Sequence, residues 1–196
     1  MSLKRKDAPG DARERLLAAA KSLLWERGFE SMSPRAVLDR SGVGQGSLYH
    51  HFRSKADLAG TALEAIGREF ATSARRELGS ERGTPLGRIR RYLAVERDGL
   101  AGCRFGRLTP ETSIADPRLR DPIAAYFIEL ESLLAHNIVA AQQAGELPPL
   151  DADALARTIA ATVQGGYVLA RALQDGAEMR RATAGLAALL DLLAAR

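Results

Sequence analysis

Ser41–Phe52 reads SGVGQGSLYHHF, with glycine at 42, 44 and 46 and a tyrosine and two histidines just before Phe52. Leu48 and Phe52 are four residues apart, so a helix over 44–50 presents both on one side. Val37, Leu38 and Val43 supply the other apolar positions nearby. Together with Leu24 and Phe29 they can close a small core. Turning that face inward leaves Gln45, Gly46, Ser47, Tyr49 and His50 outward. His50 and His51 diverge by about 100° on a helix, and the third histidine, His136, is remote, so no metal is expected. GVGQG follows no strand and fits neither a P-loop nor a dinucleotide fingerprint, so no cofactor is expected.

Helix boundaries extend outward from this stretch. A helix over 11–27 carries Leu16, Leu17, Ala20, Leu23 and Leu24 on one face and closes at Gly28. Ser33-Pro34 opens a second, over about 34–41, which Gly42 ends. Ser54 and Asp57 make a capping box for a long helix to about 78. Thr84-Pro85 starts another, to about 99, and Thr109-Pro110 a short turn. Asp121-Pro122 is expected to open a helix to about 144, followed by helices over 151–174 and 178–194. The expectation is an all-α chain of about nine helices. Three of these form an N-terminal helix-turn-helix over 11–53, and six form a body over 54–196. Residues 1–10 make a basic tail whose Lys4, Arg5 and Lys6 either trail in solvent or reach along a polyanion.

Alanine and leucine dominate the 196 residues, aromatics are 5%, and no run of about 18 uninterrupted apolar residues is present. The start MSLKRKDAPGDARER has no apolar h-region. A single cysteine, Cys103, excludes an internal disulfide and fits the cytoplasm, with no membrane partner expected. The net charge of +4 is uneven: residues 1–60 hold eleven Lys and Arg against seven Asp and Glu, and the rest balances. The basic excess therefore lies in the first third of the chain, shared by the tail and the helix-turn-helix, which points to a polyanion there.

The outward residues suit duplex DNA. Gln45 can pair bidentately with adenine, Ser47 reaches bases or phosphates, and Tyr49 and His50 face the duplex. Gly46 lets the backbone come close. Ser33 and Arg35 begin the preceding helix, and Lys55 stands where free N–H groups open the long one. After Gly28-Phe29, the run SPRAVLDRSGVGQGSLYHHFRSKADL resembles the DNA-binding domain of the TetR family of transcriptional regulators. Gly42, Val43, Gly46, Ser47, Leu48, Tyr49, His51, Phe52, Ser54, Lys55 and Leu58 stand at its signature positions. Met32 departs from the usual threonine, at the entry to the first motif helix. The resemblance covers residues 11–60.

In the body, Leu155, Ile159, Thr162, Gly166, Leu169 and Leu173 recur at helical steps, as do Met179, Ala182, Leu186, Leu189 and Leu193. The resemblance implies that these last two helices pair with a second copy in a homodimer. A dimer presents two reading helices to double-stranded DNA at a palindromic site. It also implies a small-molecule pocket within 85–170. Tyr92, Cys103, Phe105, Tyr126, Gln164 and Tyr167 interrupt apolar faces there and are the expected walls, for an uncharged or mostly apolar ligand. Trp25 is expected to pack at the edge of the small domain. An enzyme built on Cys103, Glu131 and His136 lacks nucleophile–base spacing, so none is expected. The function implied is a ligand-released repressor.

Overall fold

The computed structural model of the chain describes residues 9–195; Lys4, Arg5 and Lys6 lie outside them. The described residues form α1 (Pro9–Arg27), α2 (Pro34–Ser41), α3 (Gln45–His51), α4 (Lys55–Leu78) and α5 (Pro85–Ala94). A short 3-10 helix (Thr112–Ala115) precedes α6 (Pro117–Gln143), α7 (Ala152–Leu173) and α8 (Ala177–Ala194). The fold is all-α, and the expected short turn after Pro110 is the 3-10 helix.

Two compact units divide the chain: residues up to Gly67 with Arg104–Ile123, and Arg68–Cys103 with the chain from Ala124 onward. This differs from a cut at residue 53. The first turns of α4 bury Leu58, Ala59, Ala62, Leu63 and Ile66, so they belong with α1–α3.

In the first unit, Ser33 caps α2 by accepting from the Ala36 amide at 3.1 Å. Gly42 ends α2 in the left-handed region at φ 65°, which glycine adopts without strain. Arg15 of α1 donates from Nε and Nη2 to the Ser41 carbonyl at 2.9 and 2.5 Å, filling the space a side chain on Gly42 would need. Met32 is fully buried. Its replacement of threonine therefore adds to the core, and a phosphate could not reach it. Ser54 accepts from the Asp57 amide at 3.1 Å, and Asp57 accepts from the Arg53 amide at 2.8 Å, fixing the start of α4.

Helix α6 begins five residues before the expected Asp121-Pro122. The earlier pair, Asp116-Pro117, supplies the start, with Asp116 accepting from the Arg118 amide at 3.0 Å. Pro122 therefore lies inside the helix, where its missing N–H leaves the Arg118 carbonyl without its usual donor.

The second unit packs α5, α7, α8 and the adjoining parts of α4 and α6 around Ile89, Leu134, Ile138, Ile159 and Met179. An 18-residue window of α6 reaches a mean hydropathy of 1.3, long and apolar enough by composition alone to cross a membrane. Here Leu130, Leu134, Ile138 and Ala141 are spent on the core. Asn137, itself buried, donates to the Leu78 and Leu133 carbonyls at 3.0 and 2.8 Å, so the end of α4 is not left unpaired.

Candidate functional site

Helix α3 turns Leu48 and Phe52 into the core of the first unit and its opposite side outward. Gln45 and Tyr49 share one outward line, and Gly46 and His50 the next. Tyr49 is 55% exposed, large for an aromatic with no role in the core. A side chain added at Gly46 or Gly44 would meet nothing within 4 Å, so no contact inside the chain calls for glycine there. Ser47 is half-buried. The side chains of Ser33 and Arg35 begin α2 at the surface, Arg35 lying 3.8 Å from Asp39 in an exposed pair.

Lys55 is held more closely than its place at the start of α4 suggested. Its ammonium lies 4.2 Å over the Phe29 ring and donates to the Glu30 carbonyl at 3.3 Å. Burial lowers its pKa, with the nearby Glu111 and Glu30 carboxylates working the other way. Trp25 is half-buried with the Arg104 guanidinium 4.7 Å from its ring, an engagement that sequence reasoning did not foresee.

The second unit forms a half-open cavity of about 240 Å³. Tyr92, Cys103, Tyr126, Gln164 and Tyr167 all line it. Phe105, expected beside them, does not. It is fully buried in the first unit, 3.7 Å from the position of a Gly67 side chain, because the chain changes unit between Cys103 and Arg104.

Burial pushes the Tyr167 phenol up to about 12, and burial likewise raises Tyr126 and Tyr92, where Arg97 partly offsets it. All three are therefore neutral O–H donors at neutral pH. Phe70, Ser73, Glu96 and Arg97 complete much of the wall and were not anticipated. Arg97 donates to the carbonyls of Tyr92, Leu93 and Val95 at 2.8, 3.4 and 2.8 Å, closing the end of α5. A basic residue just past a helix end was the available signal for it. A wider cleft of about 530 Å³ lies on α5 and α8 and shares Val95, Glu96 and Arg97 with the cavity.

The residues expected at a seam between copies divide by burial. Ile159, Gly166, Met179 and Leu186 are buried within the chain, where Gly166 faces Met179 and Ala182. They are monomer core, a correction to the interface expectation. Leu155, Thr162, Ala182 and Leu193 are half-buried. Leu169, Leu173 and Leu189 are exposed, as are Val168 at 67% and Leu192 at 66%. Both helices are apolar on two sides, and a heptad-like spacing alone does not distinguish the side that packs at home.

Residues 16–62 match the family described as bacterial regulatory proteins, tetR family, and residues 85–186 match a tetracyclin repressor-like C-terminal domain. The transcriptional regulator AcuR of Cereibacter sphaeroides is 30% identical over 152 residues, covering 74% of this chain and 69% of that protein. The HTH-type transcriptional repressor KstR of Mycobacterium tuberculosis is 38% identical over 65 residues, 33% of this chain and 28% of its own. The crystal structure of a TetR transcriptional regulator from Chloroflexus aurantiacus superposes with a TM-score of 0.83 at 26% identity, covering 93% of this chain and 95% of that one. With a helix-turn-helix whose α3 is open to solvent and a C-terminal match that spans half its length, the chain belongs to the TetR family of DNA-binding transcriptional regulators.

Proposed function

We propose that this protein is a repressor that binds a palindromic operator as a homodimer and is released by a small molecule in the cavity of its second unit. The observation that carries the reading is one run of chain. Cys103 lines the cavity, and the residues that follow it, Arg104 to Ser113, bond to the helix-turn-helix unit through Trp25, Phe29 and Glu30. A ligand that orders or displaces Cys103 thus acts on a segment already tied to the reading helices. Release requires the ligand to prefer the DNA-incompetent arrangement, and a coupling of about 1–3 kcal/mol gives a 5- to 150-fold loss of affinity.

The DNA-binding role falls to residues 11–53 together with Lys55 at the start of α4, with Ser33, Arg35, Gln45, Gly46, Ser47, Tyr49 and His50 beside it at the duplex. Effector binding and dimerisation fall to residues 54–196. The exposed apolar lines on α7 and α8 supply the dimer face, and the protein works in the cytoplasm. At about 240 Å³ the cavity is below the roughly 300–1,000 Å³ of drug-sized sites, so the effector is small. Its body is mostly apolar, with an acceptor for the phenol hydroxyl of Tyr167.

The experiment is selection of duplexes from a random pool, followed by a screen of small aromatic and aliphatic compounds for release. Recovery of a two-half-site sequence, released by a compound whose effect Gln164→Leu weakens, supports the reading. Failure to enrich any sequence would sink it, and enrichment that no compound relieves would leave a constitutive DNA binder.

A further inference from the structure

The turn between α1 and α2 holds a carboxylate from far along the chain. Glu111 accepts from the Phe29 amide at 3.0 and 3.1 Å on its two oxygens and from the Glu30 amide at 3.0 Å. Ser113 Oγ donates to it at 3.2 Å, and the Ser113 amide returns a bond to the Glu30 carboxylate at 3.3 Å. Gly28 precedes these amides at φ +79°, and any side chain there would overlap the Glu111 carboxylate. Successive N–H groups after a left-handed glycine form an anion-binding concavity. Here the chain fills that concavity with its own glutamate.

What the turn supports is Lys55. The Phe29 ring lies under its ammonium at 4.2 Å, and the Glu30 carbonyl accepts from it. Both residues that position Lys55 therefore have their backbone amides fixed by Glu111. We propose that Glu111 is a positioning residue for DNA binding, holding Phe29 and Glu30 so that Lys55 meets a phosphate at the start of α4. This rests on the reading of Lys55 as a phosphate contact.

Charge alone predicts the opposite sign. Glu111 is an anion close to a DNA-facing lysine, and removing it would strengthen binding to any duplex. The two cases separate in titrations of the full-length protein at several salt concentrations. The probes are the duplex that wild type enriches from a random pool and a scrambled duplex of equal length. Glu111→Gln is expected to weaken binding to the selected duplex roughly tenfold. It should also flatten the log–log salt dependence by about 0.9 per lost phosphate contact in each protomer. Lys55→Gln flattens it equally, and Glu111→Gln adds little in the Lys55→Gln background. Glu111→Asp keeps the charge with a shorter reach, and it too should weaken binding.

Glu111→Gln binding as well as or better than wild type would overturn the proposal, as would effects of the two substitutions that simply add. Should Glu111→Gln fail to melt cooperatively, Glu111→Asp decides by itself: unchanged affinity and slope overturn the proposal. A Lys55→Gln variant with wild-type affinity and slope would instead sink the phosphate reading of Lys55.

Discussion

A side chain added at Gly60 of α4 would stand 2.7 Å from the carbonyl oxygen of Arg118 in α6. The two backbones meet there, and the carbonyl is the one that Pro122 leaves without an amide donor. Gly60→Ala must push the helices apart, with a cost of about 1–3 kcal/mol. Urea unfolding should show a lower midpoint with an unchanged slope. A midpoint at or above the wild-type value would mean that α6 yields freely at this point.

Arg40 of α2 reaches the Glu26 carboxylate of α1 at 2.6 Å, with Ser22 bonding the same carboxylate at 2.9 Å. The hydrogen bond from Arg40, aided by that from Ser22, holds Glu26 down to about 2 from an ordinary value of 4.5. A depressed carboxylate contributes its stability fully above the unfolded value and loses it as pH falls through the folded one. Both partners face solvent, so the effect is small. Glu26→Gln should melt slightly below wild type at pH 6, with the gap narrowing below about 4.5 and gone near 2. A gap that does not change with pH would assign the loss to packing.

Val168 and Leu192 are each about two-thirds exposed on α7 and α8. They lie on the proposed dimer face, where charges would oppose pairing of two copies without disturbing the fold of one chain. Val168→Asp with Leu192→Glu should shift the mass in light scattering from dimer to monomer, keep the helical signal, and abolish tight DNA binding. A double variant that remains a dimer would move the interface elsewhere.

Tyr49 and Gln45 share a line on α3 but differ in what they can read. Tyr49→Ala should weaken binding to every duplex alike. Gln45→Ala should relax discrimination at a base pair by about 1–3 kcal/mol while sparing random DNA. Two variants indistinguishable from wild type would mean that α3 enters the groove in another register.

The reading helices were legible because their evidence is local. Leu48 and Phe52 at i and i+4, Gly42 at a left-handed turn, and Ser54 with Asp57 each settle a boundary within one turn of chain. The start of α6 was less so, since DPRLRDP offers two Asp-Pro pairs and only tertiary packing selects the first. Five of the six residues named for the cavity line it because each is a polar or aromatic break in an apolar face. Phe105 is such a break too, but its unit is decided by where the chain crosses over, one residue after Cys103. Glu111 left no trace, because its partners are amides of residues more than eighty positions away.

The fork of Arg15 on the Ser41 carbonyl ties the α2–α3 corner to α1 from inside one unit. Within that unit the α2–α3 corner is therefore held to α1 by a contact independent of the cavity residues. Which bases are read and whether they are read become separable properties. On the proposed reading, substitutions around the cavity should alter how readily a small molecule releases the protein from DNA while leaving the preferred sequence as it was.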